Sequence, residues 1–478
     1  MDVLAVRDAT RRATELAREG HGPIFLEFWC YRFKGHSLGD KLDKVEDETY
    51  RTLEELKIWQ KLDPLKTFSD KLIKEGIITE GEHEDLRKRA RERNEEMAER
   101  AAEAKSPDPE TMYSFLFSTT TSDKVPEKFK SSPILRKPSF LDRDPDVEIT
   151  YRDAVTEALF QEMKRDRRVI LWGEDIADYG GAYKATRGLL QAFGRERIFN
   201  TAISEAAIIG SGVGAALRGL RPVVEIMYID FVLQALDQLG NQAAKWKYMS
   251  GGQAIIPLTI RTTIGGGKGY AGQHSQSLEA ILCHLPGLKV VCPSDAYDAK
   301  GMLSSSIRDD NPVVFIEHQN LYDEPLARSR VPKEEYLIPL GKAKVKREAK
   351  PSKKSLSLIA WSFMVPVALK AAKILEEEDI EVEVIDPRTL CPLDIETIIT
   401  SIKKTNKVAI VHQAVEFMGF GAEIAAQIQE RAFEYLDAPV TRIAAPNTPP
   451  PSSPVLEKAF LPNERDVAQK IREIFGGL

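Results

Sequence analysis

The sequence has little of what marks a disulfide-stapled, zinc-binding or membrane-spanning protein. It contains four cysteines in 478 residues, widely separated, with no CxxC pair and no histidine beside them at zinc-ligand spacing. We therefore expect a protein of a reducing compartment that holds no structural metal. The longest candidate apolar stretch is interrupted by Arg218 and Arg221, so a membrane span is excluded and a soluble protein is predicted.

An excess of positive charge is also lacking. The formal net charge is -6 at pH 7. Proteins that bind nucleic acid or anionic membranes gain affinity from a basic surface, so we expect neither partner and favour small molecules or proteins. The first twenty residues are amphipathic and contain arginine, but their Asp and Glu residues argue against an organelle transit peptide. A cytoplasmic protein of bacterial type is expected, rather than one of an organelle matrix.

The length predicts more than one domain, because 478 residues exceed what a single hydrophobic core accommodates. Residues 1–105 are predicted to hold a helix, a buried strand over 23–33 and two outlying helices. The last helix is charged enough to favour a solvated helix or a short coiled coil over a binding role. These elements cannot close a domain, which indicates the end of something larger. Residues 106–145 lack periodicity, which is typical of a linker, with Phe115 and Phe117 as candidates to dock onto a neighbour.

Regular alternation begins after residue 148. Helical patterns alternate with short apolar strands, which predicts an α/β fold with a parallel sheet covered on both faces. A second alternating block starts near residue 354 and predicts a smaller domain of the same class. We place the two domains at residues 146–330 and 331–478.

Glu205 directly precedes an almost uncharged segment rich in Ala, Ile, Val and Gly. One interpretation is a helix start, because Ser204 or Glu205 can accept hydrogen bonds from first-turn amides. The other is a carboxylate held in a dry place for proton transfer. Gly210, Gly212 and Gly214 lie within the predicted helix rather than at a strand-to-helix turn, so they favour close helix packing over dinucleotide binding.

Two histidines and one polar turn are further candidates. His274 follows a glycine-rich stretch, and imidazole is a common proton donor and acceptor, so catalytic and structural roles both remain open. His36 follows the predicted strand, where ligands bind in open α/β sheets, although a surface histidine is an equal alternative. Asp309 and Asn311 precede a strand and suit either a turn or a monovalent cation site; the residues alone favour the turn.

Together these stretches resemble the thiamin-diphosphate-dependent decarboxylating component of 2-oxo acid dehydrogenase complexes. Residues from about 148 onward resemble a nearly complete beta subunit through "GEDI", "NTAISEA", "GLRPVVEIMYIDF", "QHSQSLEA", "RDDNPVVFIEH" and "VIDPRTLCPLD". Residues 1–105 resemble only the C-terminal part of the alpha subunit, through "DVLAVRDATRRA" and "YRFKGHSLGD". The resemblance implies a fused chain whose front is missing, with a transketolase-like pyrimidine-binding domain and a smaller C-terminal domain.

The resemblance also implies residue roles around the cofactor. Glu205 of the "ISE" motif would face N1′ of the aminopyrimidine ring of thiamin diphosphate. Further cofactor contacts would come from Ile203, Tyr228 and Phe231. His274 would assist proton transfer or the lipoyl step.

Other positions carry weaker implications of the same resemblance. His36 would lie near cofactor and substrate, and Ser37 falls where some relatives are phosphorylated, although an ordinary loop serine is favoured here. Asp309 and Asn311 match a potassium-binding turn. No GDG motif occurs in the chain, so the ligands of the Mg2+ that holds the diphosphate would lie outside it, and we expect an inactive polypeptide without that region.

The implied activity is oxidative decarboxylation of pyruvate or a branched-chain 2-oxo acid, with transfer of the acyl group to the lipoyl group of an acyltransferase partner. The assembly would be an alpha2beta2-like homodimer or a heterotetramer. Three alternatives remain open: a truncated, non-catalytic assembly subunit, an enzyme resembling acetoin dehydrogenase and, more remotely, a transketolase-like sugar transferase.

Overall fold

The computed structural model describes residues 1–36, 51–145, 147–350, 352 and 354–476. The chain divides into two compact units, Met1–Asp108 and Pro109–Leu478. Across the described ranges, none of the helices combines the length and the apolar character needed to cross a bilayer.

The first unit is helical in its described part. Its helices are α1 (Val3–Arg18), α2 (Leu53–Gln60), α3 (Pro64–Lys74) and α4 (Glu80–Glu103). Helix α4 begins with a capping box: the Thr79 hydroxyl accepts from the Glu82 amide, and the Glu82 carboxylate accepts from the Thr79 amide. None of its residues is buried. The prediction of a solvated helix is therefore confirmed.

The strand predicted over residues 23–33 is not formed. Phe25 is 89% exposed and Trp29 is 79% exposed, and the segment lies outside any strand. A strand needs neighbours that accept and donate its backbone hydrogen bonds, and the described remainder of this unit contains only helices and loops. The prediction was wrong because apolar composition does not supply a pairing partner.

The second unit contains all fourteen strands that the described residues form. They are β1 (Glu148–Ile149), β2 (Val169–Gly173), β3 (Ile198–Asn200), β4 (Arg221–Tyr228), β5 (Thr259–Ile264), β6 (Lys289–Val291), β7 (Val313–His318), β8 (Ser329–Arg330), β9 (Lys344–Arg347), β10 (Ser355–Ala360), β11 (Glu381–Asp386), β12 (Thr389–Cys391), β13 (Val408–Val415) and β14 (Thr441–Ala445).

Helices separate most of these strands along the chain. They are α5 (Tyr151–Arg165), α6 (Leu189–Phe193), α7 (Glu205–Leu217), α8 (Ile229–Val232), α9 (Trp246–Met249), α10 (Glu279–Cys283), α11 (Ala296–Arg308), α12 (Met364–Glu376), α13 (Ile395–Thr405), α14 (Phe420–Ala432), α15 (Pro454–Phe460) and α16 (Glu464–Ile474). A π-helical stretch, Asp237–Ala243, packs beside α7.

Two sheets organise the second unit. The first has seven strands in the order β12-β6-β7-β5-β4-β2-β3, and the second has five in the order β14-β13-β10-β11-β9. Within the first sheet the strands run parallel except β12, and within the second all except β9. All residues of β5, β7 and β10 are buried, as expected for parallel strands covered on both faces. The α/β fold class is confirmed.

Strand β12 joins the two sheets. It follows β11 of the smaller sheet, yet it pairs antiparallel with β6 at the edge of the larger one, with Thr389 opposite Val291. The smaller domain thus supplies a strand to the sheet of its neighbour.

The segment predicted as a linker lies along the second unit from residue 109 onward. Ser118 exchanges hydrogen bonds with Asn311, and the Ser122 amide donates to the Arg308 carbonyl at 2.7 Å. Phe115 leaves no room for a side chain at Gly252, where a Cβ would lie 2.8 Å from Phe115 Cδ1. Side chains and backbone of this segment thereby dock onto the α/β unit.

Candidate active site

Glu205 is the first residue of α7 and is only 5% exposed. The adjacent Ser204 makes no side-chain capping hydrogen bond. Among the described residues, neither a hydrogen bond nor an ion pair reaches the Glu205 carboxylate. The carboxylate oxygens retain contact with solvent, while the rest of the residue is buried, so they are accessible to another molecule. Its position therefore suits a partner brought by another molecule better than a role in capping.

A second carboxylate lies close to Glu205. Glu174 follows the carboxyl end of β2, where ligands bind in open α/β sheets. Burial, together with the negative charge of Glu205, raises the pKa of Glu174 above its ordinary value. Glu174 is not among the candidates found in the sequence, although its place in "GEDI", near the end of the strand predicted over "RVILWGED", was a usable signal.

His274 lies against two of the predicted cofactor-binding residues. Tyr228 ends β4 and Phe231 lies in α8. Their ring centroids are 4.9 and 5.1 Å from that of His274, and both rings meet the imidazole edge-on. Burial raises the pKa of Tyr228. The structure thus forms an aromatic cluster, Tyr228, Phe231 and His274, from residues that are distant in the sequence.

Ile203 lies two residues before Glu205 and contrasts with it in exposure. Its side chain is 82% exposed, although isoleucine is a residue that folding normally buries. An exposed apolar side chain two residues from this acid provides contact area for another molecule.

His36 belongs to the first unit rather than to the unit that holds Glu205. It is exposed, and its Nδ1 lies 2.9 Å from Arg32 Nη1. Ser37 lies outside the described residues.

The oxygens of Asp309 and Asn311 are engaged within the protein. Asp309 Oδ2 accepts from Lys289 Nζ at 2.6 Å, and Asp309 Oδ1 accepts from the backbone and side-chain amides of Asn311. Asn311 Oδ1 accepts from the Ser118 amide at 2.6 Å. An ammonium group thus already neutralises the carboxylate that was considered as a cation ligand. The part of the chain described here also holds no group of three His, Cys, Asp or Glu residues suited to a metal ion.

A buried ion cluster lies in the sheet beneath the aromatic cluster. Arg261 of β5 donates to both oxygens of Glu317 of β7, at 2.7 and 2.9 Å, and to Glu225 of β4 at 2.5 Å. Burial pulls the pKa of Arg261 down, but Glu317 and Glu225 outweigh this effect and hold it above its ordinary value. The guanidinium therefore bridges three neighbouring strands.

Aromatic contacts connect this ion cluster to His274. The Tyr322 hydroxyl donates to Glu317 at 2.6 Å. The Tyr322 ring stacks on Tyr183 at 4.9 Å, and Tyr183 meets Tyr228 edge-on at 6.2 Å. A continuous series of contacts thus connects the ion cluster to Tyr228 of the aromatic cluster.

The glycine loop, which we define as residues 265–276, carries His274 near its end. The Gly265 amide donates to the Gln276 carbonyl at 3.1 Å, which closes the loop. Gln276 Nε2 donates to Asp230 Oδ1 at 2.7 Å. Gly265 has φ +90°, and a Cβ there would lie 1.9 Å from His318 Nε2, so only glycine fits.

The His318 imidazole packs against the start of the glycine loop, and it is neutral. Its Nε2 lies 2.8 Å from Gln413 Oε1, and its Nδ1 accepts from the Asn320 amide at 3.1 Å, an arrangement that requires the Nε2–H tautomer. Burial lowers the pKa of His318 to about 4. The glycines of α7 differ in their packing. A Cβ at Gly212 would lie 2.8 Å from Leu258 Cδ1 and one at Gly210 would lie 3.2 Å from Gln238 Cγ, which confirms the prediction of close helix packing at these two positions, whereas a Cβ at Gly214 would meet nothing within 4 Å.

Comparison with known families matches three parts of the chain. Residues 147–325 match the transketolase pyrimidine binding domain, residues 341–467 match the transketolase C-terminal domain, and residues 1–110 match the dehydrogenase E1 component. A solved structure, described as a split gene transketolase, inactive beta4 tetramer, aligns with a TM-score of 0.57 at 21% identity, covering 69% of this chain and 99% of that one. This last likeness supports the fold.

Three relatives illustrate the similarity in sequence. The pyruvate dehydrogenase E1 component subunit beta of Rickettsia felis is 45% identical, over 69% of this chain and 98% of the relative. The subunit of the same name in Bacillus subtilis is 45% identical, over 68% of this chain and 98% of the relative. The acetoin:2,6-dichlorophenolindophenol oxidoreductase subunit beta of B. subtilis is 44% identical, over 69% and 97% respectively.

Proposed function

The chain belongs to the family of thiamin-diphosphate-dependent 2-oxo acid dehydrogenase E1 components, with alpha-like and beta-like parts in one polypeptide, and from this premise we propose its reaction. It decarboxylates a 2-oxo acid and passes the acyl group to the lipoyl group of an acyltransferase partner. The observation that supports this most is the buried Glu205 carboxylate, which finds no partner among the described residues.

The residues present fit the aminopyrimidine half of thiamin diphosphate. Glu205 offers a carboxylate acceptor on a residue that is only 5% exposed, and partial shielding from water strengthens a hydrogen bond to a ring nitrogen. The exposed Ile203 and the rings of the aromatic cluster are the apolar groups that we propose contact the ring. Thiamin diphosphate, when bound, supplies the nucleophilic carbon and the electron sink that decarboxylation needs. Glu205 would hold a proton at N1′ of the ring and return it.

We propose that His274 moves a proton during acyl transfer. Its imidazole lies between the edges of Tyr228 and Phe231, which restrict its orientation. We expect His274→Ala to reduce acyl transfer to lipoyl groups by about 100-fold and to reduce decarboxylation far less. The two steps are measured separately, with a lipoylated acceptor domain and with an artificial electron acceptor.

The matched control for this prediction is His284→Ala, which removes an exposed imidazole from the end of α10. It should leave both steps unchanged. Equal loss of both steps in His274→Ala would contradict the assignment.

Acetoin is the second candidate substrate. The acetoin:2,6-dichlorophenolindophenol oxidoreductase subunit beta of B. subtilis is 44% identical to this chain, close to the 45% of the pyruvate dehydrogenase subunits. A panel of pyruvate, branched-chain 2-oxo acids and acetoin, each with the artificial acceptor, separates the candidates. The preferred substrate is the one with the highest kcat/KM.

We further propose that this polypeptide binds the diphosphate only together with a region that carries the GDG motif, which the sequence lacks. A diphosphate needs a metal ion and oxygen ligands, and an apolar surface cannot replace them. Calorimetric titration of the isolated chain with thiamin diphosphate and Mg2+ should show no binding in the micromolar range, and no substrate in the panel should be turned over.

Addition of a GDG-containing alpha chain from a relative should restore both binding and turnover. Micromolar binding by the isolated chain would contradict the need for a companion. Binding without turnover of any substrate in the completed assembly would favour the non-catalytic alternative.

A further inference from the structure

The glycine loop is held from the smaller domain by one acidic side chain. Glu457 lies in α15 and is buried. Its Oε1 accepts from the Gly267 amide at 2.7 Å, and its two oxygens accept from the Gly269 amide at 3.2 and 3.0 Å. Both glycines have positive φ, +102° and +74°, which turns their amides toward one point. Backbone N–H groups gathered in this way form a nest that binds a carboxylate.

Residues that precede Glu457 in the chain also lie against the glycine loop. A Cβ at Gly272 would lie 3.4 Å from Pro449 Cβ, and one at Gly269 would lie 3.7 Å from the Ser452 carbonyl oxygen. The Gly266 amide donates to Gln413 Oε1 at 3.1 Å, which adds a second anchor from the smaller domain. The loop is therefore lined by the smaller domain over most of its length.

Only four residues separate the anchored Gly269 from His274. The Tyr270 ring meets Tyr228 edge-on at 6.2 Å, and the His274 amide donates to the Ala271 carbonyl at 3.3 Å. One tight turn thus links the anchored Gly269 to His274.

We propose that Glu457 is a positioning residue for His274, acting from a different domain through the nest formed by Gly267 and Gly269. The effect on acyl transfer rests on the proposed function. The claim that Glu457 fixes the glycine loop rests only on the contacts described above. Glu457 touches neither substrate nor cofactor in this role. Its carboxylate fixes the loop so that the imidazole stays against Tyr228 and Phe231.

The first test measures hydrogen exchange in the full-length chain, without cofactor or companion. Glu457→Ala removes all three hydrogen bonds, and Glu457→Gln keeps those to Oε1 while losing the one to Oε2. We expect exchange of the glycine loop to rise about tenfold or more in Glu457→Ala and less in Glu457→Gln, with the core strands unchanged. Glu434→Gln, at an exposed acid of the same domain, is the matched control.

The second test uses the enzyme completed with its GDG-containing companion. We expect Glu457→Gln to slow acyl transfer to the lipoylated acceptor by about tenfold while decarboxylation with the artificial acceptor changes less than about twofold. In a His274→Ala background the same substitution should cause no further loss, because the two residues act through one group.

The outcomes separate this inference from the proposed function. Unchanged exchange of the glycine loop in Glu457→Ala overturns the inference whatever the enzyme does. Additive losses in the double variant overturn it too, because they show an effect that does not pass through His274. Absence of turnover in every variant, the unsubstituted chain included, counts against the proposed function, while the exchange result still decides the role of Glu457.

Discussion

Replacement of Glu205 by alanine is expected to lower turnover of the completed enzyme by about 1,000-fold or more, within the range that loss of an acid–base group causes. Glu205 is buried at the start of α7, and its carboxylate is the group that we propose holds the proton at the ring nitrogen. Water that enters the space left by the side chain can accept a hydrogen bond from the ring, but water is a much weaker base than a carboxylate. Initial rates with the artificial electron acceptor measure the loss.

Two further variants make this result interpretable. Glu205→Gln keeps the size of the side chain and removes its charge, so it should be nearly as inactive as the alanine variant. Glu196→Ala removes an exposed acid of the same domain and should retain full activity. Thermal unfolding should be little changed in all three, since the Glu205 carboxylate makes no contact on which the fold depends. Turnover of Glu205→Ala within about tenfold of the unsubstituted enzyme would contradict the proposed role.

Replacement of Arg261 by methionine is expected to destabilise the second unit by about 3 to 5 kcal/mol, because it leaves Glu225 and Glu317 buried without their counter-ion. Methionine has a similar volume, so little of the loss would come from a cavity. The loss of stability is measured as the decrease in the free energy of unfolding, determined by denaturant titration. The aromatic cluster should also lose order, since Tyr322 depends on Glu317 for its hydrogen bond.

A compensated variant tests the electrostatic cause. Combining Arg261→Met with Glu225→Gln and Glu317→Gln removes the unpaired charges and should recover most of the stability. Arg472→Met breaks an exposed ion pair with Glu378 and should change stability little. If the triple variant is as unstable as the single one, packing around the guanidinium, rather than the charge, is what stabilises the sheet.

The parts of the fold that could be predicted from the sequence are those set by local pattern. Strands such as β7 are short apolar runs between helices such as α11, and the change of period alone identifies both. The same reasoning failed over residues 23–33, since a strand exists only where another chain segment offers backbone partners. Local pattern does not carry that information.

The candidate site was predictable to a smaller extent. Glu205 and His274 could be found because each stands out against its immediate surroundings, one before an apolar helix and the other after a run of glycines. Glu174 could also have been found, as an acid at the end of a strand. Arg261 could not, because its importance comes from carboxylates on two neighbouring strands.

Glu457 marks the limit of prediction from local patterns. It stands 190 residues from the amide of Gly267 to which it binds. Nothing in the segment around it distinguishes it from other acids of the smaller domain. Only the tertiary fold shows that Glu457 reaches the glycine loop that carries His274.

Strand β12 limits how this polypeptide can be divided. A cut near residue 331, where the sequence suggests that one domain ends, would remove Thr389–Cys391 from β6 and expose an unpaired strand edge on the larger domain. Exposed edges of this kind promote aggregation. Recombinant pieces and chimaeras with relatives should therefore keep both domains from one parent, or carry β12 along with the larger one.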